Sequence, residues 1–161
     1  MAEEIREVSR DEAPLIMRLV RAAFTTVYER FGITPENWPR HASNLKVDWI
    51  HGMFDEGARY FVVRDADEPA GCVALQVRDE GELHLRHLAV LPACRGKGLG
   101  GALLARAIDE ARRLDARRIT LGLIADDVEL EAWYRRRGFE VTGKKRLDGA
   151  PFEIPLMGRD L

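Results

Sequence analysis

The segment Leu88-Ala89-Val90-Leu91-Pro92-Ala93-Cys94-Arg95-Gly96-Lys97-Gly98-Leu99-Gly100-Gly101 constrains the fold more than any other part of the chain. A β-rich run, Glu82 to Leu91, stops at Pro92, passes through glycines at 96, 98, 100 and 101, and enters a helix reaching about Leu114. On that helix Leu99, Leu103, Ala107, Ile108 and Ala111 share one face, and Asp109 and Arg113 are spaced to pair across a turn. Residues without a Cβ let the backbone turn tightly and approach a ligand closely. The free N–H groups of the first helical turn, at the positive end of the helix dipole, suit a phosphate or pyrophosphate. Arg95 and Lys97 add mobile positive charge. A Walker-type loop needs Lys-Ser or Lys-Thr after its last glycine, whereas Gly100 is followed by Gly101-Ala102. A dinucleotide fingerprint belongs to a strand that opens a βαβ unit. Here the strand follows two helices and a hairpin, so both of those folds are set aside.

The remaining segments give the element order. Ile5 to Val8 alternates apolar and charged residues, a short strand. Ser9 or Asp11 can cap a helix on which Leu15, Ile16, Leu19, Val20, Ala23 and Phe24 recur at helical spacing. Pro35 and Pro39 break the pattern around Trp38, and a second helical stretch passes through Leu45, Trp49 and Met53 to end at Gly57. Arg59 to Arg64 and Ala70 to Arg78 read as a hairpin across the polar turn Asp65-Ala66-Asp67-Glu68-Pro69. Arg118 to Ile124 is another strand, Asp126 or Asp127 caps a short helix to Arg137, and Gly138 ends it. Phe139 to Arg146 and Phe152 to Met157 form a last hairpin around Asp148-Gly149. The order β-α-α-β-β-β-α-β-α-β-β combines one parallel crossover with antiparallel hairpins. The expected class is therefore α/β (α+β), a mixed, mostly antiparallel sheet flanked by about four helices. At 161 residues, without repeats or linkers, one domain spanning 1–161 is expected, with its core over about 3–160.

Composition narrows the function classes. With 25 basic and 27 acidic residues the net charge is -2, so no global field points to nucleic acid. No run approaches the ~18 apolar residues of a membrane span, and the acidic Met1-Ala2-Glu3-Glu4 start lacks the apolar run of a signal peptide. Cys72 and Cys94 make no disulfide framework, which points to a reduced, cytoplasmic setting. His41 and His51 lack partners at metal-ligand spacing, so no metal is expected. Cys94 abuts the glycine loop, but no Cys/His arrangement supports a nucleophile, and direct transfer is favoured over an acyl-enzyme.

Arg95-Gly96-Lys97-Gly98-Leu99-Gly100 resembles the acyl-CoA pyrophosphate loop of the GNAT superfamily of N-acetyltransferases, and it follows a strand ending Leu88-Ala89-Val90. Trp133-Tyr134-Arg135-Arg136-Arg137-Gly138-Phe139 resembles the second signature of that family, a helix carrying Tyr-x-x-x-Gly-Phe. The element order matches the family fold over nearly the whole chain. The resemblance implies a fold with a sheet splayed open beside the third strand of its central meander. It also implies acetyl-CoA as co-substrate, its pantetheine arm pairing with the backbone of Leu88, Ala89 and Val90. Its pyrophosphate would lie on backbone N–H groups between Lys97 and Gly101, so that Arg95, Gly96, Lys97, Gly98, Leu99, Gly100 and Gly101 form the cofactor loop. Where family members often carry Asn before the tyrosine helix, this chain has Asp127, whose alternatives are a pantetheine contact or the helix N-cap.

Amide formation from a thioester needs a neutral amine, and an alkylamine of pKa ~10 is mostly protonated at neutral pH. A base must take that proton, a donor must hold the thioester oxygen, and an acid must protonate the leaving thiolate. Tyr134 occupies the family's acid position. For the base, Glu82, His84 and Arg86 share one strand face and Leu83, Leu85 and His87 the other. His84 is the first candidate, with an ordinary pKa of ~6.5 that suits neutral pH; Glu82 is the second, and His87 is read as packed. A strand N–H near Leu88 can supply the oxyanion donor. The acceptor, a small molecule or a protein amine, is open. So are a non-catalytic acyl-CoA sensor and a transferase of another acyl group. Family analogy adds a possible homodimer.

Overall fold

In a computed structural model, described here over residues 4–79, 81–124, 127–146 and 153–161, the two most apolar strands sit at the centre of one side of a seven-stranded sheet. These are β2 (Arg59–Asp65) and β3 (Glu68–Asp79), and their central residues are buried on both faces. Such continuous apolar runs require cover on both sides of the sheet. Tyr60, Val62, Cys72 and Ala74 face α1 (Ala13–Phe31) and α2 (Val47–Asp55). Phe61, Val63, Val73 and Leu75 face α3 (Leu99–Arg113) on the opposite side. The core is thus two clusters back to back, with the sheet between them.

Strand order is β1-β2-β3-β4-β5-β7-β6, where β1 is Ile5–Val8, β4 Glu82–Val90, β5 Arg118–Gly122, β6 Glu140–Arg146 and β7 Glu153–Asp160. All neighbours are antiparallel except β4 and β5, which the α3 crossover makes parallel. The last helix, α4 (Val128–Arg135), packs its Tyr134 with Phe139 into the α3-side cluster. This is the expected α/β class and element order.

Several local readings change. The β2–β3 strands run into the segment read as a five-residue turn, leaving Ala66 and Asp67 outside the ladder with φ of 50° and 67°. Two consecutive left-handed residues make the tight turn whose twist matches a hairpin. Arg113 pairs with Glu110 at 3.4 Å, not with Asp109, which lies 3.9 Å from Arg112. The reason is that the Glu110 carboxylate is buried and also holds Arg59 of β2 at 2.8 Å. Strand β7 continues to Asp160, past the expected Met157. The Asp148-Gly149 turn and Asp126 lie outside the described residues.

The largest departure is a β-bulge. Cys72 opposes Ala89 and Ala74 opposes Arg86, so His87 and Leu88 together face Val73. His87 has a φ of 52° there, and the extra residue inverts the alternation beyond it. His87 therefore leaves the face of Leu83 and Leu85 and places its Nδ1 2.8 Å from the Tyr60 hydroxyl, on the α1/α2 side. Gly71 is needed opposite: a Cβ there would come within 2.5 Å of the Ala89 carbonyl oxygen.

Burial pushes three imidazoles down from their ordinary value, His41 and His84 to about 4 and His87 to about 3. Folding favours their neutral forms. The unfolded chain takes up protons below about 6.5 while the folded one does not. Stability from these groups is complete above that pH and lost as pH falls toward 4. Thermal melts should give a lower Tm at pH 5 than at pH 7.5, and an equal Tm at both would contradict this burial.

Candidate active site

Strands β4 and β5 pair at three positions only, Glu82 with Arg118, Leu83 with Ile119 and His84 with Thr120. Beyond them β4 runs on to Val90 and β5 to Gly122 without touching, so the sheet forks. Leu88, Ala89 and Val90 line one wall of the fork with backbone groups that have no strand partner on the β5 side. Leu88 and Val90 lean on the α3-side cluster, and Ala89 is buried on the other.

The glycine loop stands at the mouth of this fork. Gly96 and Gly98 have φ of 80° and 83°, and open space lies where their Cβ atoms would be. Gly98 is the N-cap of α3, and buried Leu99 anchors the first turn. Helix geometry leaves the N–H groups of Leu99, Gly100 and Gly101 without intrahelical acceptors. Among the described residues, those of Gly96, Lys97 and Gly98 also have no acceptor. The loop is a cluster of outward-facing donors at a helix N-terminus, which is the arrangement an anion needs.

Arg95 and Lys97 do not supply the mobile charge expected of them. The Arg95 guanidinium donates to the Val90 carbonyl at 3.2 Å and to Ala23 O and Thr26 Oγ1 of α1 at 3.0 and 3.2 Å. Lys97 Nζ is 2.7 Å from Asp65 Oδ2. Arg95 thus fastens the loop to α1. Two residues of the second signature approach the loop instead, Arg137 coming from a run of three arginines that reads as a solvated helix end with one member able to touch a CoA phosphate. Trp133 lies against Gly100, whose Cβ would meet Trp133 Cζ2 at 3.6 Å, and the Arg137 guanidinium lies over the indole, 3.7 Å from the ring centroid. Arg137 also reaches Gly101, where a Cβ would stand 3.6 Å from its Nη2. Their four-residue spacing, Trp133 on α4 and Arg137 just past its end, was the available signal.

The Asp127 carboxylate accepts from the Leu130 N–H at 3.2 Å, so it serves as the N-cap of α4, and it stands 3.7 Å from Arg30 of α1. Tyr134 is 6% exposed, its ring wedged edge-on between Trp133 and Phe139. Among the described residues its hydroxyl has no hydrogen-bond partner, and burial pushes its pKa up. His84 closes the fork at its narrow end. Its Nδ1 lies 2.9 Å from Thr120 Oγ1, and burial, then the charges of Arg78, Arg86 and Lys145, hold it neutral. Register puts His84 beside Gln76 on the α1/α2 face, whereas Tyr134 belongs to the α3 face. The two candidate catalytic groups therefore address the fork from opposite sides. Glu82, on the face of His84, is half-buried where β4 and β5 are still paired. Among the described residues no group of His, Cys, Asp and Glu could hold a metal ion, and no helix is long and apolar enough to cross a membrane.

Solved N-acetyltransferases share this fold. The ribosomal-protein-S18-alanine N-acetyltransferase of Escherichia coli matches with a TM-score of 0.78 and 20% identity, over 98% of this chain and 93% of that one. The PaiA N-acetyltransferase of Thermoplasma acidophilum, in complex with coenzyme A, matches with a TM-score of 0.74 and 19% identity over 100% of both chains. The family is settled by sequence: the acetyltransferase (GNAT) family model matches residues 17–139, and this chain belongs to that family as an N-acetyltransferase. One relative is the peptidyl-lysine N-acetyltransferase YjaB of Salmonella typhimurium. It is 30% identical over 108 residues, 67% of this chain and 68% of that protein.

Replacing Arg95 by Met keeps the stem and removes three hydrogen bonds, two that tie the loop to α1 and one to the Val90 carbonyl. We expect a loss of about 1–2 kcal/mol in urea unfolding; unchanged stability would mean that the loop holds its place without this arginine.

Proposed function

We propose that this N-acetyltransferase binds acetyl-CoA along the fork and passes the acetyl group directly to a primary amine. The observation that carries this reading is the succession of an open edge on β4, beyond its last pairing with β5, and a run of unpartnered donors from Gly96 to the N-terminus of α3. That path suits a chain of amides ending in a pyrophosphate, which is the chemistry of coenzyme A. Residues 88 to 90 would pair with the amides, and the N–H groups from Gly96 to Gly101 would receive the pyrophosphate. Arg137, stacked on Trp133 at the same helix end, adds a fixed positive charge.

Acetyl-CoA supplies the activated acetyl group, and the protein handles two protons and one developing charge. On the α1/α2 face His84 accepts the amine proton. With Nδ1 engaged by Thr120, Nε2 is the nitrogen left for this task. An imidazole held down to about 4 is a weak base but is neutral at every working pH. The cations that depress it also disfavour the ammonium form of an incoming amine. The Leu88 N–H would donate to the carbonyl oxygen as C–N forms and C–S breaks. On the α3 face Tyr134 gives its phenolic proton to the departing thiolate and regains one from water. A phenol whose pKa is raised by burial stays protonated until that thiolate appears.

The cofactor half is tested at Gly98. Gly98→Asp should weaken acetyl-CoA binding more than tenfold, over ~1.4 kcal/mol, by calorimetry. Gly98→Asn, equally strained at this positive φ but neutral, should lose clearly less, and Gly100→Ala least, because its Cβ meets only van der Waals contacts. Equal affinity in the Asp and Asn variants would remove the pyrophosphate from this loop. The proton half is tested by Tyr134→Phe, which should keep acetyl-CoA affinity and lose ~10²- to 10⁴-fold in kcat. His84→Ala should lower kcat/KM most below pH 7.5, where free amine is scarce, and more than Glu82→Gln does. Full kcat in Tyr134→Phe would make the phenol structural, and a crippling Glu82→Gln beside a mild His84→Ala would move the base to Glu82.

A further inference from the structure

The acceptor side of the fork is unusually positive for a chain with a net charge of -2. Around His84, register places Arg86 of β4 on the α1/α2 face, and Arg78, at an irregularity of β3 between Val77 and Asp79, bears on His84 with its charge. Lys145 of β6 joins them, paired with Ile154. Arg40, before α2, lies over the Trp49 ring at 4.3 Å, and its charge bears on Arg86 as that of Arg78 does. Among the described residues none of these four cations has a carboxylate within ion-pair distance, although Arg59, Arg106, Arg113 and Arg118 elsewhere do. Three acids are at hand, and none cancels the cluster: Asp79, opposite Glu82 in the register, makes no ion pair with these cations among the described residues. Glu82 sits at the closed end of the fork, and the Glu56 carboxylate is taken up by Gln76 at 3.2 Å, whose amide oxygen receives Arg86 at 3.4 Å.

Four exposed cations around one half-buried imidazole repel one another, and nothing in the fold requires them together. Their charge also opposes the approach of a cationic acceptor such as a polyamine. Granted that His84 marks the acceptor side of the proposed transfer, we propose that the acceptor is a small primary amine carrying its own carboxylate or phosphate. Arg86 and Arg78 receive the anion while the amine meets His84. Two residues of strand separate His84 from Arg86, about 7 Å, which matches an amino acid or an aminoalkyl phosphate. In the transfer the amine nitrogen bonds to the acetyl carbon, the C–S bond breaks, and the ammonium proton leaves toward His84. The anion takes no part in bond making and fixes the nitrogen in place.

The test compares O-phosphoethanolamine and L-aspartate with ethanolamine and putrescine, with acetyl-CoA held constant and acetylated products measured by mass spectrometry. The anionic amines should exceed ethanolamine at least tenfold in kcat/KM, and the advantage should shrink in 0.5 M NaCl as ions screen the cluster, at a Debye length of roughly 4 Å. Arg86→Gln and Arg78→Gln should each raise KM for O-phosphoethanolamine about tenfold, far more than for ethanolamine, with kcat little changed. Putrescine as the better acceptor, no acetylation of either anionic amine, or an undiminished anion preference in the double variant would overturn the inference. Calorimetry of acetyl-CoA binding runs beside it. Failure to bind acetyl-CoA sinks the transfer reading itself, whereas bound acetyl-CoA with a preference for putrescine sinks only the anionic acceptor.

Discussion

The architecture turns on hydrogen bonds that β4 does not make. Within a sheet nearly every backbone N–H and C=O finds a partner, and an interior edge left open is costly. Here the ladder between β4 and β5 stops after His84, and the two strands diverge in the middle of the sheet rather than at its rim. Holding such a gap needs rigid material on both sides. On one side the bulge at His87 twists β4 away, seated against Gly71 and pinned through Tyr60. On the other, β5 is zipped to β7 along its whole length. The gap is therefore a built feature, and groups on either face of the sheet can reach into it.

How much of this the residues announced depends on the range of the interaction. The glycine run and the helix after it are local, because αL glycines and an amphipathic period are readable within a dozen residues. The mixed character of the sheet followed from hairpin and crossover rules, whereas the place of β7 between β5 and β6 did not. The fate of His87 was not legible, because a bulge depends on how one strand sits against its neighbour, and alternation alone placed the residue on the wrong face. Arg95 and Lys97 were misread for the same reason. Their partners, Ala23, Thr26 and Asp65, are distant in sequence, so a loop that looked free in charge is tied down. The run of three arginines allowed a phosphate contact, but only the fold, which brings α4 against the start of α3, singles out Arg137 and stacks it on Trp133. Glu110 belongs with them: its carboxylate, on the helix after the glycine run, is buried beneath Arg59, Arg106 and Arg113, of which Arg59 is distant in sequence.

Charge follows a similar division. On the α3 side basic residues are mostly consumed by fixed partners, in the Glu110 group, the Arg135–Glu131 pair and the Arg137–Trp133 stack. On the α1/α2 side near the fork they are left open. A single overall net charge, close to zero, conceals this asymmetry, which arises only when the strands are laid side by side.

Because adjacent residues of one strand belong to different clusters, Tyr60 to one and Phe61 to the other, the sheet acts as a partition. Substitutions in α2 and the strand positions beneath it repack one compartment while α3 packs in the other, and the glycine loop is joined to the first through Arg95 on Ala23 and Thr26 of α1. Such a division lets a lineage explore new acceptors by drift on one face while purifying selection holds the other. The two surfaces can then diverge at different rates within a single small chain.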